Sequence, residues 1–96
     1  PRPDMLCVGH YSIAQAYGAL GDRRALPALE QAKAAYRQCA LQGVRAPFRQ
    51  ITLALIELDL AGRFALDPPG LAARAAEARR LAAEHGYAWT GPGEPA

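Results

Sequence analysis

Residues 51–60 read ITLALIELDL, and the fold turns on how that hydrocarbon is covered. At about 100° per residue, Ile51, Leu55 and Leu58 fall on one stripe of a helix and Leu53, Ile56 and Leu60 on another. A helix apolar over so wide an arc needs neighbours on more than one side. Its limits are marked in the sequence. Pro47 stands where a first helical turn has no internal partner for the missing N–H, and Gly62 supplies a stop, so a helix is expected from Ala46 to Ala61.

Upstream, residues 17–32 read YGALGDRRALPALEQA, a helix–turn–helix pattern. A first helix is expected from Val8 to Leu20 with Ile13, Tyr17 and Leu20 on one face. Gly21 closes it by taking the left-handed conformation, and Asp22 caps the next helix. The second helix is expected from Arg24 to Gln42, with Pro27 in its first turn and Leu26, Leu29, Ala32, Tyr36 and Cys39 or Ala40 on the buried face; Gly43 ends it. Downstream, Asp67 before Pro68-Pro69 reads as an N-cap, opening LAARAAEARRLAAEH with Leu71, Ala75, Ala78, Ala82 and His85 along one stripe beside Leu81, and Gly86 as the stop. That face is narrow and mostly alanine, which lets a neighbouring helix come close. The organisation expected is an entry segment over 1–8, a helical-repeat domain over 9–86, and an aromatic cap with a flexible tail over 87–96.

Composition agrees. The chain has 96 residues, enough for one domain near the size where burial only just outweighs chain entropy. Apolar residues make up 51% but aromatics only 7%, so the core is built from small side chains and the class expected is all-α. Eleven basic residues are interleaved with nine acids for a net charge of +2, which gives no reason to expect nucleic acid or membrane as partner. No signal-like or spanning apolar run is present. Two cysteines are too few for a disulfide framework, so a reducing, cytoplasmic setting is expected, and the leading proline suggests a piece of a longer chain.

Four helices with short connections make two antiparallel hairpins, packed as a short repeat array or a four-helix bundle. Gly21 and Gly62, each read as the end of a hairpin's first helix, stand 41 residues apart, within the range of helical repeats. Ile13-Ala14, Tyr17, Gly21-Asp22 and Ala25, Leu29, Ala32 form a series that resembles the tetratricopeptide family over residues 8–36. The second hairpin departs from that pattern, with Leu55 at a small-residue position and Leu58 at the tyrosine position. The chain is in this respect similar to the longer, irregular repeats of large bacterial regulators. The resemblance implies a non-catalytic protein-interaction or scaffold role. It places Tyr11, Gln15, Arg49, Thr52, Ile56 and Asp59, from the first helices of the two hairpins, along a groove for a protein or peptide partner. Exposed ends of so short an array also imply self-association.

The same residues bear on other chemistries. Cys7 and His10 make half a zinc site, but Cys39 and His85 are too arbitrarily placed to complete it, and no metal or cofactor is expected. No nucleophile stands beside a base, and Glu57 and Asp59 point about 200° apart on a helix, so no enzyme is expected. The alternative is a winged-helix DNA-binding domain with residues 44–66 as recognition helix and wing, in which Arg45 and Arg49 meet phosphates.

Overall fold

Proline opens both the first and the third helix, because its fixed φ suits a first turn in which the N–H has no intrahelical acceptor. The computed structural model describes residues 3–41 and 47–91, with side chains for 5–40 and 47–91. Its helices are α1 (Pro3–Ala19), α2 (Ala25–Leu41), α3 (Pro47–Arg63) and α4 (Leu71–His85), and no strand occurs among the described residues. The fold is all-α. Helix α1 starts within the expected entry segment, since Pro3 nucleates it; Gly43, Val44, Arg45, Ala46 and the tail beyond residue 91 lie outside the described residues.

The glycine spacing has a different meaning from the one expected. Helix α3 runs through Gly62 to Arg63, so both its ends lie 44 residues beyond those of α1, with a proline first and Gly18 or Gly62 next to last in each. The true stop is at Ala65, which takes φ 53° while the Leu66 N–H reaches back to the Ala61 carbonyl at 2.8 Å. The same cap closes α1, where Gly21 has φ 69° and the Asp22 N–H bonds the Tyr17 carbonyl at 2.9 Å. A left-handed alanine costs about 1 kcal/mol that glycine avoids. Ala65→Gly is therefore expected to raise the urea midpoint with an unchanged slope, a gain of about 1 kcal/mol; an unchanged or lowered midpoint would reject this cap geometry. Asp22 turns the chain ahead of α2 without capping it, its carboxylate accepting the Arg24 N–H at 2.9 Å one residue before the helix begins. Asp67 makes no cap bond to α4. Gly70 occupies the N-cap of α4 without any side-chain cap bond, because Pro68 and Pro69 belong to the preceding turn and delay the helix to Leu71.

Helix α3 is the centre. One apolar cluster joins its Leu53, Ile56 and Leu60 to Cys7 and Ala14 of α1 and Ala25, Leu29 and Ala32 of α2. A second joins its Ile51 to Ala78 and Ala82 of α4 and to Trp89, with Ala54, Leu55 and Leu58 against it. Hydrocarbon on both stripes of residues 51–60 is thus covered from two sides. Helices α1 and α2 form one hairpin, α3 and α4 the other, and α3 touches α1, α2 and α4. Helix α4 packs on α3 and on neither helix of the first hairpin, so the four do not close into a ring; they form an open stack.

Helix α1 buries only part of the expected face: Tyr17 packs against the first cluster, but Ile13 and Leu20 do not. Cys7, Ala14 and Gly18 point inward, whereas Ile13 is 47% and Leu20 78% exposed. The reason is close approach: a Cβ on Gly18 would lie 2.6 Å from Leu60 Cδ2, so only small residues fit between α1 and α3.

Candidate partner-binding site

The groove between the first helices of the two hairpins is a hollow of about 540 Å³. Gln15 lines it from α1, and Phe48, Ile51, Thr52, Leu55, Ile56 and Asp59 from α3; Tyr87, Ala88 and Thr90 form the remaining wall. That wall is set by two anchors. The Tyr87 N–H bonds the Ala82 carbonyl at 2.8 Å, closing α4, and Trp89 buries itself against Ile51, Ala78 and Ala82. The Tyr87 ring then meets Phe48 edge-on, with centroids 5.6 Å apart. Trp89 caps the second cluster, while Tyr87 stays exposed at the mouth of the hollow. His85 stacks on Tyr87 at 6.2 Å, and the Gly86 and Tyr87 backbone N–H groups close α4.

Four of the six expected contact residues, Gln15, Thr52, Ile56 and Asp59, are brought together in this hollow. Ile56 is buried in its floor, the Thr52 hydroxyl donates to the Phe48 carbonyl at 2.9 Å, and Asp59 accepts from Arg63 Nε at 2.9 Å. The Gln15 amide faces out with no hydrogen-bond partner among the described residues. The other two lie elsewhere. Tyr11 packs against the first cluster, and Arg49 is half-buried with its Nε enclosed and unpartnered among the described residues.

On another side of α3 lies a feature that the sequence reading missed. Glu57, with a side chain only 8% exposed, receives Arg74 Nε on Oε1 at 2.8 Å and both Arg74 Nη2 and Lys33 Nζ on Oε2 at 2.8 Å. The triad ties α2, α3 and α4 together beneath a cavity of about 340 Å³ that Tyr36, Gln50 and Leu53 also line. Burial pushes the Glu57 carboxyl up, but the hydrogen bonds from Arg74 and Lys33 and their charges outweigh it and hold it below its ordinary value. Three of the carboxylate's roughly four acceptor positions are filled by these cations, so Glu57 ties α2, α3 and α4 together. An acid inside the apolar run ITLALIELDL was the available signal; a charge there must find partners or face water.

Cys7 and Cys39 are buried and not disulfide-bonded, and among the described residues no three ligating side chains converge. No helix among them is long and apolar enough to cross a membrane. Comparison with protein-family models, with curated proteins and with solved structures returns no match for this chain.

Proposed function

We propose that the chain is a non-catalytic protein-interaction segment whose hollow between α1, α3 and residues 87–90 seats a short peptide stretch of a partner. The observation that carries this is the convergence of Gln15, Thr52 and Asp59 around an apolar floor of Phe48, Ile51, Leu55 and Ile56. Burying one large apolar anchor on such a floor contributes about 1.5–3 kcal/mol. The rim fixes its orientation: Asp59, half exposed, suits a neighbouring basic group, and the Gln15 amide suits a peptide bond. The occupant is a peptide with one aliphatic or aromatic anchor beside a basic residue. The resemblance of residues 8–36 to tetratricopeptide repeats supports the wider reading, a scaffold segment of a larger cytoplasmic bacterial regulatory protein.

Panning a random peptide-display library on the chain tests this. Selected peptides should carry that pattern and lose at least tenfold in affinity on Thr52→Trp, which fills the hollow, while Arg37→Ala on the far side leaves them unchanged. Failure to select any binder, or binders indifferent to Thr52→Trp, would overturn the assignment. Steeply salt-dependent binding of duplex DNA, weakened by Arg49→Ala, would select the winged-helix reading of residues 44–66 instead.

A further inference from the structure

Helix α1 carries a second surface. Around the helix from its buried face, Leu6, Ile13 and Leu20 recur every seven residues, with Gly9 and Ala16 at the intervening positions three further on. All five are exposed, and Met5 beside them is 66% exposed. Leu20 sits in the closing turn, but its N–H still reaches the Ala16 carbonyl at 3.3 Å, so the stripe stays in helical register over about 21 Å. Large residues thus alternate with small ones along a seam of the kind that pairs two helices. No Asp, Glu, Lys or Arg occurs from Met5 to Leu20.

We propose that this face pairs with the same face of a second copy of the chain, the two α1 helices running antiparallel. The choice of occupant rests on self-complementarity. Turned about a two-fold axis near residues 14 and 15, Ile13 of one copy lies over Ala16 of the other and Leu20 over Gly9, so these two knobs each meet a recess, while Leu6 lies over Arg23 in the turn that follows the helix. A parallel pair would set Ile13 against Ile13 and Gly9 against Gly9, overpacked in one layer and void in the next. An uncharged face offers a charged partner nothing to recognise, yet repels its own copy nowhere. The area is small. Met5, Leu6, Ile13 and Leu20 present on the order of 400 Å² per copy, about half of what each side of a stable interface supplies, so the dimer is weak and depends on concentration. Gln15 lies about 200° around the helix from Ile13, so the pairing leaves the peptide hollow open and stands or falls independently of it.

Sedimentation equilibrium of the full chain from about 20 µM to about 1 mM tests the proposal. The average mass should climb toward twice that of the chain, and Ile13→Glu and Leu20→Lys should each weaken association at least tenfold with an unchanged far-UV circular dichroism spectrum. Both positions are exposed, so both variants fold. Orientation is read separately: mixing Ile13→Cys chains with Ala16→Cys chains under oxidation should give mainly mixed disulfides, because the native Cys7 and Cys39 are buried. A monomer at the highest concentration, association indifferent to both charged variants, or a predominance of Ile13→Cys homodisulfides would each overturn the antiparallel pair. Loss of peptide binding on Thr52→Trp with association intact would leave it standing.

Discussion

Leu60→Ala is expected to destabilise the chain by about 3–4 kcal/mol, a third or more of the total for a domain of this size. Leu60 is 1% exposed and, among the described residues, is the largest fully buried side chain, placed where α1, α2 and α3 meet. Truncation removes its transfer free energy and leaves a cavity that rigid backbones on three sides cannot collapse into. The melting temperature should fall by about 15 °C. Gly18 supplies an internal check. With a Cβ contact of 2.6 Å to Leu60 Cδ2, Gly18→Ala alone should destabilise by overpacking. In the Leu60→Ala background the added methyl occupies the space vacated, so the double variant should be more stable than the sum of the single effects implies. Additive losses, or a Leu60→Ala loss under 1 kcal/mol, would show that α3 is not enclosed as described.

The second large effect concerns Glu57. Glu57→Gln keeps the shape but loses the charge that Lys33 and Arg74 share, and is expected to cost about 2 kcal/mol at neutral pH. Fully buried pairs lose more when broken, but the Arg74 side chain is 44% exposed and water screens part of the attraction. The pH dependence follows from the direction of the shift. The folded carboxyl titrates below its ordinary value of 4.5, so the unfolded chain binds the proton first on acidification. The triad's contribution is therefore complete above the ordinary value and disappears as pH falls through the folded one. Urea midpoints of wild type and Glu57→Gln should be furthest apart at neutral pH and converge in acid. Other paired acids such as Asp22 and Glu77 are shifted alike in both chains and cancel in the comparison. Parallel curves down to strong acid would show that the triad contributes nothing to the fold.

The sequence made the helices and the coverage of α3 readable because both rest on local signals. Pro47, Gly21 and Gly86 mark helix ends, whereas Gly62 lies inside α3, and the two stripes of residues 51–60 admit no exposed solution. The inward face of α1 was hidden for the opposite reason. Where backbones approach closely the buried positions must be small, so hydrophobicity ranked Ile13 and Leu20 above Ala14 and Gly18 and pointed outward. In the hollow, the α1 and α3 contributors follow from the hairpin pattern, but Tyr87, Ala88 and Thr90 arrive through the burial of Trp89, a contact without local periodicity. The partners of Glu57 lie 24 residues before it and 17 after it, beyond the reach of any helical spacing.

Because α4 rests on α3 and touches neither helix of the first hairpin, the contacts of this chain run almost entirely between consecutive elements, α1·α3 being the exception. Such a topology closes short loops before long ones and needs no distant strands to find each other, which is the pattern of rapid, nucleation-light folding. It also makes thermodynamic coupling nearest-neighbour in character. A lesion in α4 is transmitted to the α1–α2 hairpin through α3 and through the Glu57 carboxylate that Lys33 and Arg74 share.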